Sequence, residues 1–458
     1  MKLRHTAIAA LVLCVLAGWI YFYEYRGETG RQKAEVDAKK VAVFDLAQAE
    51  SLTLSSAAGK ICLAKRDGLW WLEEPLAARA DEDEVSGLLS TISFLEITGR
   101  LGAPSSGLEA FKLANPALEV RLGPGPGKPE VRFSVGDKTP VGSAYFARLG
   151  DAGEVVTVSA SVQKLMETTG EALRYKKILG IDSWQVTRFG IEQEGRAVSF
   201  MKKESDWRLE KPIAFPADRR KVSSLIYELS ALRADGFEAP ETDPASVGLD
   251  RPAAVLTVDG KEKTVIVQFS RVDGEGVVRA RRDDMREIFR LKSEALAKLT
   301  VAVDEFRDAR VAPVDRWAIS ELRAETSGEQ KLLFKDPEAN WRWGSPEGPV
   351  IESASVDSLL DAIEGARAVG YREGSAAPAG SAAGSILKLE VKAGEGDALV
   401  IRMGAEEEGR VLFTTTAAAS LYEVEKGAAE KLVEVARGLR PPDAPAAASS
   451  RPGQEPAP

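Results

Sequence analysis

The chain has 458 residues with 61 Lys and Arg against 70 Asp and Glu, a net charge of −9, so it lacks the basic footprint of a nucleic-acid binder. Its only histidine is His5 and its only cysteines are Cys14 and Cys62. Beyond residue 23 this excludes Ser-His-Asp and Cys-His catalysis, His-ligated zinc or haem, disulfide scaffolds and CxxC redox chemistry.

Residues 1–5 form a short flank, and residues 6–23 are an uncharged apolar run ending in the aromatic cluster Trp19, Tyr21, Phe22 and Tyr23. That length spans a bilayer and those rings suit its interface, so an N-terminal transmembrane helix is expected. A cleaved signal peptide is the competing reading, but the stretch exceeds the usual apolar region and lacks a small-residue cleavage site. Cys14 follows Leu11-Val12-Leu13, too bulky for lipoprotein processing, and reads as a plain membrane-facing residue. In the juxtamembrane linker 24–40, Arg26, Arg31, Lys33, Lys39 and Lys40 outnumber Lys2 and Arg4, which by charge alone keeps the following domain inside. An extreme N-terminal signal anchor carries long domains across regardless of flanking charge, so the large region is expected to be periplasmic, on a single-pass protein of the bacterial inner membrane.

Three copies of one phrase follow: Trp70-Trp71-Leu72-Glu73-Glu74-Pro75, Trp207-Arg208-Leu209-Glu210-Lys211-Pro212 and Trp341-Arg342-Trp343-Gly344-Ser345-Pro346, 137 and 134 residues apart. Ten positions after each Pro, Val85, Val222 and Val356 are expected to open a helix. The set Val85, Leu88, Leu89, Ile92 answers to Val222, Leu225, Ile226, Leu229 and to Val356, Leu359, Leu360, Ile363, which is one buried helix face. Phe44-Asp45, Ile181-Asp182 and Val314-Asp315 precede the Trp phrase. Leu173-Arg174, Phe306-Arg307 and Leu439-Arg440 close each unit. Modules are therefore expected over 41–174, 175–307 and 308–440, followed by a disordered Pro/Ala-rich tail, 441–458.

Between these marks the period is two, with strands expected at residues 51–54, 60–64, 118–122, 131–135 and 155–158 of the first module. Strands are likewise expected at 253–258, 265–269 and 288–291 of the second, and at 386–391, 399–403 and 411–414 of the third. Asp259-Gly260 and Asp273-Gly274 favour hairpins between them. The fold class is α+β: three tandem repeats of an antiparallel-sheet-plus-helix module behind a membrane helix.

Candidate chemistry is sparse. Asp81 and Asp218 precede the repeated helix and read as N-caps, with paired-acid catalysis or cation binding as the alternative; Glu352 holds the third position, where Ser353 could cap instead. The repeated Trp residues read as core anchors, or, if exposed, as a platform for sugars. Gly123-Pro124-Gly125-Pro126-Gly127-Lys128 lacks the Ser or Thr of a phosphate loop and reads as a hairpin loop. Cys62 reads as a buried small hydrophobe, or else as a surface thiol for a partner. The basic runs Arg219-Arg220-Lys221 and Arg279, Arg281, Arg282 read as solvated surface. Catalytic, cofactor-binding and metal-ligating residues are assigned to none.

The anchor, Phe44-Asp45, the first Trp phrase and the Val85 helix resemble the bacterial family catalogued as domain of unknown function 4340, from the anchor to about Arg440. That resemblance implies an envelope protein associated with gliding-motility-type ABC transporter systems, and it brings no catalytic residues. The function expected is a non-enzymatic, membrane-anchored extracytoplasmic scaffold or accessory subunit of an ABC-type transporter or envelope complex, without cofactor. The alternative is a glycan- or peptide-binding envelope module with carboxylate-based hydrolase activity.

Overall fold

Apolar residues at every second position give strands with one inward face, and the computed structural model gathers them into three antiparallel sheets with few helices. It describes residues 36–102, 107–150, 153–372, 386–394 and 396–442. The expected membrane helix at 6–23 and nearly all of the tail lie outside the described residues. Among the described residues no helix is long and apolar enough to cross a membrane. The chain divides into two compact units, residues 1–176 and 177–458.

In the first unit, β1 (Ser51–Ser56), β2 (Gly59–Arg66), β3 (Leu69–Glu74) and β4 (Ala78–Arg79) form a meander that leads into α1 (Glu82–Ser93). Then come β5 (Ile97–Gly102), β6 (Leu118–Gly123), β7 (Val131–Lys138), β8 (Tyr145–Leu149), β9 (Val155–Val158) and the short α2 (Val162–Glu167). The sheet order is β4-β3-β2-β1-β6-β7-β8-β9-β5, so the two meanders join through β1 and β6. Leu52, Leu54, Ile61, Leu63, Val120 and Phe133 alternate inward and meet Val85, Leu88, Leu89 and Ile92 of α1 in one core. Each such side chain contributes about 1.5–3 kcal/mol on burial.

The second unit holds two sheets. The first of them comprises β10 (Arg188–Gln193), β11 (Arg196–Lys203), β12 (Asp206–Lys211), β13 (Phe215–Pro216), α3 (Arg219–Ser230) and β14 (Gly236–Phe237). It continues through β15 (Ala254–Asp259), β16 (Thr264–Phe269), β17 (Val277–Arg282), β18 (Ile288–Lys292), α4 (Glu294–Ala297) and α5 (Val303–Phe306). The other comprises β19 (Ile319–Thr326), β20 (Glu329–Lys335), β21 (Trp341–Trp343), α6 (Ser353–Gly365) and β22 (Ala368–Arg372). Its remaining elements are β23 (Leu387–Ala393), β24 (Leu399–Glu407), β25 (Arg410–Thr415), β26 (Ala418–Glu425) and α7 (Lys426–Gly438). Their orders, β13-β12-β11-β10-β15-β16-β17-β18-β14 and β21-β20-β19-β23-β24-β25-β26-β22, match that of the first unit, except that the third sheet has an isolated bridge from Arg342 to Val350 where β4 and β13 would stand.

The three principal helices begin at Glu82, Arg219 and Ser353, three residues before the Val residues expected to open them. Those first turns hold no large apolar residue and lie mostly exposed, so apolar periodicity marks only where each helix meets its sheet. The segments closing the first two sheets pair beside the strand that leads into the helix. Ala80 bridges Arg174 in one unit, and Ala217 bridges Arg307 in the other.

Candidate functional site

The candidate acids are occupied structurally. Asp81 is 1 % exposed and its carboxylate accepts the Asp83 N–H (3.1 Å), while that of Asp218 accepts the N–H groups of Arg220 (2.9 Å) and Lys221 (3.2 Å). These are N-caps, each satisfying orphan donors of a helix start. Glu352 stands at the N-cap of α6 but its side chain makes no capping bond, and Ser353 lies inside the first turn, so neither caps by side chain. Trp70, Trp207 and Trp341 are buried, because each sits on the inward face of its strand. Buried in this way they offer no exposed ring face as a sugar platform; Trp207 lines a cleft with Asp206 and Asp308, but at 5 % exposure.

Three expectations need revision or placement. Cys62 is half-buried rather than buried: the period of two sends Ile61 and Leu63 inward and leaves Cys62 on the other face of β2, 3.9 Å from the Thr53 hydroxyl. Arg282 is fully buried, not solvated, and is held in a bidentate pair with Asp284 (2.7 and 2.6 Å). Arg279 is bonded to Asp273 and Glu238. Residues 123–128 join β6 to β7 as a hairpin loop, with Lys128 N–H donating to Gly125 C=O (3.3 Å).

A dense polar and aromatic arrangement lies at the seam between the two sheets of the second unit, which share one continuous core. Phe215 of β13 meets Tyr371 of β22 edge-on at 5.3 Å and Tyr422 of β26 at 5.2 Å. The Arg307 guanidinium lies 5.2 Å from the Phe215 ring and 4.9 Å from that of Tyr371, and pairs with Asp304 (3.1 Å). The connector is tied at both ends. Asp308 N–H donates to Pro216 C=O (2.9 Å), Ala368 N–H to Ala309 C=O (2.7 Å), and Arg310 bridges Arg367. Arg310 clamps Asp308 through its Nε and guanidinium, which raises the Arg310 pKa. Arg208 reaches across to Ala417 C=O (3.2 Å). Burial pushes Tyr371 up to about 12 and raises Tyr422 as well. The Tyr422 hydroxyl is buried with no hydrogen-bond partner among the described residues.

A cleft of about 310 Å³ opens beside this seam, lined by Lys203, Asp206, Arg208, Arg219, Asp308 and Arg310. Its cations outnumber its acids, Asp308 is clamped by Arg310, and no nucleophile stands beside a base there. A second cleft, of about 560 Å³, lies between the β10–β11 hairpin and the segment from Leu299 to Val303, with Glu194, Arg196 and Thr300 among its lining residues. Among the described residues no three His, Cys, Asp or Glu side chains come together to hold a metal ion.

Sequence reading passed over two exposed rings. Trp184 is 64 % and Trp317 is 78 % exposed; each follows the Asp that precedes β10 or β19, and Lys261 and Arg316 sit over them at 5.4 and 5.6 Å. Their spacing of 133 residues was the available signal, masked by the larger Trp phrase.

Against solved structures, the chain matches a DNA polymerase sliding clamp from Pseudomonas aeruginosa at 10% identity and a TM-score of 0.15, covering 85% of this chain and 95% of that one. It matches the DNA polymerase III subunit beta of the same organism at 10% identity and a TM-score of 0.14, over the same shares. Overlays this loose carry no weight for fold or function. No curated protein sequence matches the chain. One family profile, described as a domain of unknown function, matches twice, over residues 70–208 and 207–385, and each match opens at a Trp of the repeated phrase. The chain therefore belongs to the family of the domain of unknown function DUF4340.

Proposed function

We propose that this protein is a non-enzymatic scaffold: a single-pass protein of the bacterial inner membrane, anchored by residues 6–23, with three tandem α+β modules on the periplasmic side. In this reading the modules hold subunits of an ABC-type transporter or another envelope complex. One observation carries it: in the second unit the connector from Phe306 to Arg310 is hydrogen-bonded to both sheets, and the aromatic seam continues the core between them. A paired connector fixes one sheet against the next, and such stiffness suits a surface that presents partners in register. The acids, arginines and Trp rings most suggestive of chemistry are engaged in capping, clamping and core packing, which supports the same reading.

The test is affinity purification of tagged, full-length protein from mildly solubilised native membranes, with mass spectrometry of what accompanies it. Transporter or envelope subunits recovered in defined proportion are the expected result. Recovery of the protein alone sinks the proposal.

A further inference from the structure

Among the described residues, the strand leading into the principal helix is covered in two sheets and bare in the third. In the first unit Asp81 N–H donates to Leu173 C=O (2.8 Å) and Tyr175 N–H to Arg79 C=O (2.9 Å), so Leu173-Arg174-Tyr175 lies along the strand. In the second unit Asp218 N–H donates to Phe306 C=O (2.8 Å) and Asp308 N–H to Pro216 C=O (2.9 Å), so Phe306-Arg307-Asp308 does the same. The third sheet has the corresponding strand in the same register: Ile351 N–H bonds Trp341 C=O, as Ala80 bonds Trp70 and Ala217 bonds Trp207. Trp343 N–H bonds Pro349 C=O, which leaves the Val350 peptide groups pointing away from β21. Among the described residues no backbone bond is made by Glu352 N–H or Val350 C=O. Val350 is 49 % exposed and Glu352 is exposed, where their counterparts Pro216 and Asp81 are buried and Arg79 and Asp218 half-buried.

Among the described residues, the chain's own following segment does not close this edge. Leu439-Arg440 matches Leu173-Arg174 and Phe306-Arg307, but the Leu439 C=O is bonded by the Lys331 ammonium (2.8 Å). The residue standing where Tyr175 and Asp308 donate is Pro441, which has no N–H to give to Val350.

We infer that the open edge at Pro349–Glu352 is a docking site for an extended segment of a separate protein, which adds to the third sheet as a further strand. The occupant's chemistry follows from the two segments that cover the equivalent edges and from the rim. Both segments carry a large apolar residue followed by Arg. Exposed Val350 matches the first, and the exposed carboxylates of Glu347 and Glu352 match the second. The inference rests on the scaffold reading for the existence of a partner and adds the place and manner of its binding.

The test titrates full-length protein in mild detergent against a fluorescein-labelled synthetic peptide of residues 303–310, Val-Asp-Glu-Phe-Arg-Asp-Ala-Arg, followed by anisotropy. Saturable binding is expected. N-methylation of the peptide amide corresponding to Asp308 removes one hydrogen bond and should weaken binding about fivefold. Glu352→Pro in the protein removes the other together with one rim carboxylate, so the loss should be at least as large; the φ of −60° at Glu352 already suits proline, so the variant should fold. Absent binding, or equal binding of the N-methylated peptide, overturns the inference. So does binding that appears only when the chain ends after Pro442, which gives the edge to residues 443–458, or a concentration-dependent dimer broken by Glu352→Pro, which gives it to a second copy. Envelope subunits co-purifying undiminished with the Glu352→Pro protein would remove this edge from their contact while leaving the scaffold reading in place.

Discussion

Replacing Lys331 by Met should release α7, the last of the described helices. Lys331 lies on β20 at 4 % exposure, opposite Ala324. Its places in the other sheets are held by Ile61, opposite Leu54, and Val198, opposite Ile191, so the slot itself suits an apolar side chain. The ammonium donates to the carbonyls of Ala436 (3.3 Å), Arg437 (2.6 Å) and Leu439 (2.8 Å), acceptors that the end of α7 leaves without intrahelical donors. Hydrogen bonds from a charged donor are worth about 1.5–3 kcal/mol each, and the positive charge also favours the negative end of the helix. Against this stand several kcal/mol for desolvating the ammonium, which Met avoids. The balance leaves a loss of about 2–4 kcal/mol for Lys331→Met, because two or three carbonyls remain without donors in a buried place. Hydrogen exchange with mass spectrometry on full-length protein reads it directly. Amides of Lys426–Gly438 should exchange about 30- to 700-fold faster, with those of α1 unchanged. A change under about threefold, or slower exchange, would refute the reasoning and mean that desolvation cancels the three bonds.

The caps predict an asymmetry: Asp81→Ala and Asp218→Ala should each cost about 1 kcal/mol, and Glu352→Ala nearly nothing, read as local exchange in α1, α3 and α6. Tyr422→Phe should stabilise by about 1 kcal/mol, since it removes a buried hydroxyl without a partner and keeps the ring against Phe215; faster exchange in β26 would show an unseen bond. The Asp273 carboxylate is held down to about 2, first by its bond from Arg279 and then by the N–H of Val277. Its folded value is below the unfolded one, so its contribution is present above about pH 4 and fades as pH falls toward 2. The denaturation midpoints of wild type and Asp273→Asn should therefore differ by a constant amount above pH 4 and converge toward pH 2. Tyr371, pushed up to about 12, contributes stability that is complete below the unfolded value of about 10 and lost as pH rises through 12. Absorbance titration should show one fewer tyrosine ionising below pH 11 in Tyr371→Phe only after unfolding, and no difference between the folded proteins.

Much of this fold was legible because it is written in local periods. The alternation around Leu52 and Leu54 and the face of Val85, Leu88, Leu89 and Ile92 report burial in the immediate neighbourhood, and both are placed inward. The Asp81 and Asp218 caps follow from a polar residue standing just before such a face. Cys62 was misplaced because it lies inside an apolar run, Lys60-Ile61-Cys62-Leu63-Ala64, where only the strand's phase against its neighbour decides which residues turn inward. Arg282 and Lys331 escaped for a different reason. Each occupies an inward position that periodicity assigns to an apolar residue, and each is tolerated there by a partner that composition does not reveal: Asp284 two residues on, and the end of a helix more than a hundred residues away.

That distant partner also bears on function. The Leu439 C=O accepts from Lys331 and is followed by Arg440-Pro441, and it takes no bond from Glu352, whereas Leu173 accepts from Asp81 and Phe306 from Asp218. One buried lysine and one proline therefore distinguish the third sheet from the two before it, and they act on the same strand edge. A sheet that merely ended the array could have closed that edge with its own residues, since the Leu-Arg pair that covers the others is present at the right place in the sequence. Turning Leu439 to the lysine and following Arg440 with a proline leaves the edge unpaired among the described residues, with Val350 exposed upon it. An unpaired edge is a liability in a chain that works alone and an asset in one that holds another polypeptide.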